Sequence, residues 1–311
     1  VAMDVFSGKR PGRDARTQAM AWQLLSRLME PDELKRRLAQ LEPTTPMVAD
    51  FQAGAADLYV IPVNKETATW LTVLRTEPHR PYWNRLARIV SKLTPAQKRG
   101  LELRHLAVLA WAAEHDPTAL TLSRAALMAE AERHYDMQRH HLRGPTYDGP
   151  MEDHPQRLSD WRDELVWGDL LVMRLITTVM DDPHAVRKWF AQADADLKDE
   201  STEYGGLVKL VDGEVLPMIY NPATRLHDLK YVPPGELVLD AYTAYAHYHF
   251  HAQEYRNRRY AGPGLGDLKR TAKTQQFNSI VLTFIDENTL NVDYYQPDEV
   301  VIDLGEIHRP R

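Results

Sequence analysis

The chain has 311 residues, 43% hydrophobic and 26% charged, enough to bury a sizeable core and too apolar for wholesale disorder. Its formal net charge of -6 excludes a dedicated nucleic-acid binder, which needs a basic face to engage phosphates. No apolar run approaches the roughly 18–20 residues of a membrane span, and the absence of cysteine rules out disulfides, thiolate ligands and cysteine nucleophiles. The first residues, Val1-Ala2-Met3-Asp4, carry no signal-peptide pattern, although a start at Val1 equally fits a trimmed N-terminus; a soluble chain is expected, with the cytoplasm favoured and the compartment undecided.

From about residue 14 to residue 198 the texture is helical. Ala19–Leu41 spaces Met20, Leu24, Leu25 and Leu28 as a helix does, and Leu101–His115 and Thr118–His134 repeat the pattern. Asp57–Val63 reads as a short strand within this region. Arg143–Pro155, with three prolines and two glycines, reads as a linker. Helices follow at Leu158–Met180 and Pro183–Lys198, the second opened by a proline whose missing N–H costs nothing in a first turn. His134, His140 and His141 stand beside Arg133, Arg139 and Arg143, which fits a solvated helix end complementing the dipole.

After Glu200 the chain turns β-branched and aromatic. Strands are expected at Glu203–Leu210, Glu214–Tyr220, Glu236–His251, Ser279–Asp286, Thr289–Tyr295 and Val300–Leu304, separated by turn residues such as Asp212-Gly213 and Glu287-Asn288. Asp267–Lys273 reads as a short helix between them. The fold class is therefore α+β, with a mainly helical region over residues 1–155 and an α+β domain over residues 156–311.

The run Ala246-His247-Tyr248-His249-Phe250-His251 carries most of the chemistry. Histidines two apart on a strand project from one face. With a carboxylate from Gly262-Pro263-Gly264-Leu265-Gly266-Asp267, two imidazoles make a divalent-metal site that suits Zn2+. A metal hydrolase also needs a general base, and Glu203 precedes a Gly205-Gly206 pair at a helix–strand junction. His247 shares the histidine face and is an accessory candidate.

In this order, a helix, a Glu-x-Gly-Gly-Leu strand, His-x-His at a strand end and Pro-Gly-x-x-Asp opening a helix, the residues from Pro183 to Leu304 resemble the JAB/MPN (JAMM) metalloprotease domain. The resemblance implies a mixed sheet with flanking helices. It also implies zinc held by His249, His251 and Asp267, and Glu203 activating a zinc-bound water. Its implied substrate is a peptide or protein, with a ubiquitin-like tail as one form. Gly264 stands where the family has a serine that steadies the tetrahedral intermediate, and losing such a donor typically costs about 10²–10³ in rate. The segment between His251 and Asp267 is about five residues longer than is usual there, a small cost in closure entropy. It sets Arg256, Arg258 and Arg259 at the mouth of the site, where they would either select acidic substrates or stand solvated.

Two further readings stand beside this one. The same fold with Gly264 in place of serine reads as a weak or inactive scaffold, its N-terminal helices serving a protein partner. His249-x-His251 followed by Glu254 also resembles the cupin ligand pattern, although the gap to the glutamate is short and no downstream glycine-rich partner motif with a histidine follows. No Gly-x-Ser-x-Gly or His-Glu-x-x-His occurs.

Overall fold

A computed structural model describes residues 1–10, 14–142, 154–227 and 231–311. The chain divides into two compact units, residues 1–121 with 274–276, and residues 122–273 with 277–311. The division falls ahead of the linker expected at 143–155, of which residues 143–153 lie outside the described residues.

The first unit is helical: α1 (Ala2–Phe6), α2 (Ala15–Leu28), α3 (Pro31–Ala39), α4 (Pro46–Ala53), α5 (Lys65–Leu74), α6 (Arg80–Lys92), α7 (Pro95–Lys98) and α8 (Leu106–His115). The single helix expected over Ala19–Leu41 is two, because Pro31 has no N–H to continue α2 and instead starts α3. Asp57–Val63 is not a strand. A π-turn at Gly54–Leu58 extends α4, and left-handed Tyr59 (φ 59°) ends it as Val60 N donates to Gly54 O. The core centres on Phe6, Trp22 and Phe51, whose ring centroids lie 4.5–5.5 Å apart. Trp22 Nε1 finds its acceptor in Pro62 O at 2.7 Å.

The second unit carries α9 (Arg124–Asp136), α10 (Trp167–Met180) and α11 (Pro183–Asp196), then β1 (Gly205–Val211), β2 (Glu214–Tyr220), α12 (Gly235–Asp240), β3 (Ala246–His251), α13 (Leu265–Thr274), β4 (Ser279–Asp286), β5 (Thr289–Tyr295) and β6 (Val301–His308). The helix expected at Leu158–Met180 is interrupted: a 3-10 turn covers Leu158–Trp161, and α10 begins only where Asp169 reaches back to cap Val166 N at 2.8 Å. The strand expected over Glu236–His251 is also split. Its first part is helical because Leu237, Ala241 and Ala244, at helical spacing, pack together on Leu207 and Tyr231.

The six strands form one mixed sheet in the order β2-β1-β3-β4-β5-β6, antiparallel except for the parallel pair β3/β4 that α13 connects. On one face Tyr248 and Phe284 meet Trp189 and Phe190 of α11. On the other, Leu268 of α13 packs with Val281, Tyr295 and Val301. That second face carries the histidines. No helix among the described residues is long and apolar enough to cross a membrane.

Candidate metal centre

Strand alternation puts His247, His249 and His251 on the face under α13. β1 lies antiparallel to β3 with Gly205 opposite His249, and continuing that register by two residues sets Glu203 opposite His251. The approach needs glycine at both following positions. A Cβ on Gly205 would stand 2.7 Å from the Tyr231 ring and from Tyr248 O, and one on Gly206 would stand 2.0 Å from Met218 O.

Asp267 arrives from the first turn of α13. Its Oδ2 accepts from Gly264 N at 2.8 Å, the reach of a third helical residue back to its N-cap. The same oxygen lies 3.4 Å from His249 Nε2 and 3.9 Å from His251 Nε2. One ligand atom from each of the three residues falls within 4.8 Å of the others. Two ligands held tetrahedrally at zinc distances of about 2.0–2.1 Å sit about 3.3 Å apart, so the His249–Asp267 separation matches and the His251–Asp267 separation is slightly wide. The chemistry of the donor set agrees. His249 Nε2 is buried and has no hydrogen bond of acceptable geometry, an orphaned polar atom that a cation would satisfy. His251 Nδ1 meets Tyr260 O at 2.8 Å; because a carbonyl only accepts, Nδ1 carries a proton, and in the neutral ring the lone pair then lies on Nε2, on the Asp267 side.

Electrostatics follow from that convergence. Burial works against the charged form of His249, but the Asp267 carboxylate, with Glu203 further off, outweighs it and raises its pKa. Burial would lift Asp267, yet the facing imidazoles hold it well below the usual carboxylate range. His247 is pushed well below its ordinary value by burial, with Arg270 and His249 adding to the shift, and so stays neutral. It stacks near Phe277 and Tyr231 at about 6 Å, beside the centre and outside its three-ligand group.

Glu203 is 6% exposed. Its Oε2 accepts from Tyr231 N at 3.1 Å, and its Oε1 lies 3.4 Å from Gln253 Nε2. Comparisons with protein-family models, with curated proteins and with solved structures give no match. Gly264 sits at the N-cap of α13, where a Cβ would come 3.3 Å from Asp267 Oδ2, close enough that a serine there needs a small shift of its neighbour.

Sequence reasoning missed several contributors. Gln253, Asn257 and the carbonyl of Tyr260 all belong to the segment between the two ligand-bearing elements, which drew notice for its arginines. Arg256, Arg258 and Arg259 are exposed, and Arg259 pairs with Glu254 at 3.3 Å. The signal was present as two amides among the charges, Gln253 and Asn257. His141, expected on a solvated helix end, is instead 1% exposed. Its N–H donates to Asp303 Oδ2 at 2.6 Å, and its Nε2 pairs with Glu306.

Proposed function

We propose that the chain is a zinc-dependent hydrolase of peptide or isopeptide bonds with a JAB/MPN-like centre. The observation that carries the reading is the convergence of His249, His251 and Asp267 around one point, with His249 Nε2 orphaned and the Nδ1 proton of His251 engaged by Tyr260 O. These three residues would hold the metal, whose contribution when bound is Lewis acidity toward water and the scissile carbonyl. His251 and Asp267 are only half-buried, so a substrate reaches the centre from their side.

Glu203 supplies the proton chemistry. One carboxylate oxygen takes a proton from the attacking water as the C–O bond forms, and returns it to the leaving nitrogen as the C–N bond breaks. Tyr231 N and Gln253 Nε2 hold that carboxylate in place through the cycle. Burial of the face around it excludes bulk water. Gly264 bears no hydroxyl to share the oxyanion, and this supports a second reading, the same domain as a slow or inactive scaffold whose partner binds the N-terminal helices.

Metal analysis after purification without added zinc separates the readings. The hydrolase retains stoichiometric zinc, and His249→Ala does not. Glu203→Gln keeps the zinc and lowers turnover of fluorogenic peptides and isopeptide conjugates by about 10²–10⁴. Metal-free wild-type protein, or zinc content unaltered in His249→Ala, sinks the proposal.

A further inference from the structure

We propose that the segment between His251 and Asp267 is a positioning device built on Asn257, which sets the tautomer of His251 and aims Gln253 at Glu203. What it positions these groups for rests on the hydrolase reading; the device itself rests on hydrogen bonds.

Asn257 is 0% exposed although exposed arginines precede and follow it. Its N–H donates to Phe284 O at 2.9 Å, anchoring the segment on β4. Its carbonyl accepts from Tyr260 N at 2.8 Å and closes the 3-10 turn Arg258–Tyr260. Its side-chain Nδ2 donates twice, to His251 O at 3.1 Å and to Gln253 Oε1 at 2.8 Å. A buried amide with this many directed bonds holds its surroundings to one arrangement.

Two consequences follow for the centre. The Asn257 backbone closes the turn and its side chain ties the turn to His251 O, and together they hold Tyr260 O against His251 Nδ1, which places the proton there and in the neutral ring leaves Nε2 as the metal-facing atom. The histidine side chain in water favours the Nε2–H tautomer, so the protein imposes this one. The bond from Asn257 to Gln253 Oε1 also decides which way the Gln253 amide points. With its oxygen engaged, its NH2 faces Glu203 Oε1. The extra length of the segment thus connects a proposed ligand to the proposed base.

The test uses the full chain and two readouts independent of turnover. Nitrogen-15 spectra of the histidine rings in the metal-free protein are expected to show His251 protonated at Nδ1. Competition with a chelator is expected to show zinc binding to Asn257→Ala weakened by about 10–100-fold, with a mixture of His251 tautomers. Gln253→Ala, at a half-buried position that tolerates truncation, is expected to keep zinc affinity and lose about 10-fold in kcat with KM held. Gln253→Met, similar in volume but unable to donate to Glu203, should behave like Gln253→Ala. His251 protonated at Nε2 in the wild type overturns the proposal, as does wild-type tautomer and zinc affinity in a folded Asn257→Ala. If Asn257→Ala does not fold, the wild-type tautomer and the Gln253 variants decide. A wild type that shows the Nδ1 proton but binds no zinc leaves the device standing and removes the hydrolase reading.

Discussion

Two histidine–carboxylate clusters share one face of the sheet, and they differ in what their atoms face. The register runs His249–Val281–Asp293–Asp303 in one row and His251–Thr283–Asn291–Glu306 in the next. Both rows therefore begin at a proposed ligand on β3 and end at an acid on β6, three strand spacings or about 14 Å away. At the β6 end the contacts are direct pairs. Asp303 accepts from His141 N and Gly305 N, Glu306 pairs with His141 Nε2, and His140 Nδ1 lies 3.5 Å from Asp303. At the β3 end His249 Nε2 and His251 Nε2 converge on one oxygen of Asp267, at 3.4 and 3.9 Å. Only that end brings three ligand atoms together among the described residues. Histidine beside acid is thus two different arrangements: a clamp in which each acid meets donors of its own, and a candidate metal centre in which two imidazoles share one carboxylate oxygen.

The largest effect should come from breaking the clamp. Asp303→Ala strips the acceptor from His141 N and Gly305 N in a site of zero exposure, and is expected to destabilise the fold by about 3–5 kcal/mol. Chemical denaturation reads the loss, and zinc content should stay at the wild-type level if the clusters are functionally distinct. A smaller, conditional effect belongs to the β3 end. Zinc at about 100 times its dissociation constant should stabilise the wild type by roughly 2.7 kcal/mol. That gain should vanish in Asp267→Asn and persist in the folded fraction of Asp303→Ala; an equal gain in Asp267→Asn would erase the contrast.

The smallest effect is a pH slope. Burial disfavours the His140 imidazolium, but the Asp303 carboxylate beside it outweighs burial and the folded pKa lies above the ordinary 6.5. Such a group contributes stability that is fully present below about pH 6.5 and is lost as pH rises through the folded value. His140→Gln should flatten the stability profile across that window, and denaturation midpoints at several pH values will detect it.

Much of the second unit was legible because local chemistry and tertiary structure agree there. Ser279–Asp286 and Thr289–Tyr295 are strands with the bounds their composition suggested, since Glu287-Asn288 offers an unambiguous turn between them. The histidine face was legible for a similar reason: a period of two is a geometric statement. The helix α12 was not, because Leu237 and Ala241 are equally at home in a strand, and only the hydrophobic surface of Leu207 and Tyr231 selects the helix. His141 was misread because its partner Glu306 is 165 residues away, beyond any local pattern. Asn257 escaped for the opposite reason. Its partners are near in sequence, but a buried amide among exposed arginines leaves no periodic trace.

Tyr231, Tyr248 and Met218 leave no room for a side chain on the glycine pair that opens β1. A saturation library of this chain should therefore be almost empty of functional substitutions at codons 205 and 206. Gly235 and Gly266, whose missing side chains would project into open space, should accept many. The boundary between those outcomes traces, in mutational tolerance alone, how closely the start of β1 is pressed between β2, β3 and the Tyr231 ring.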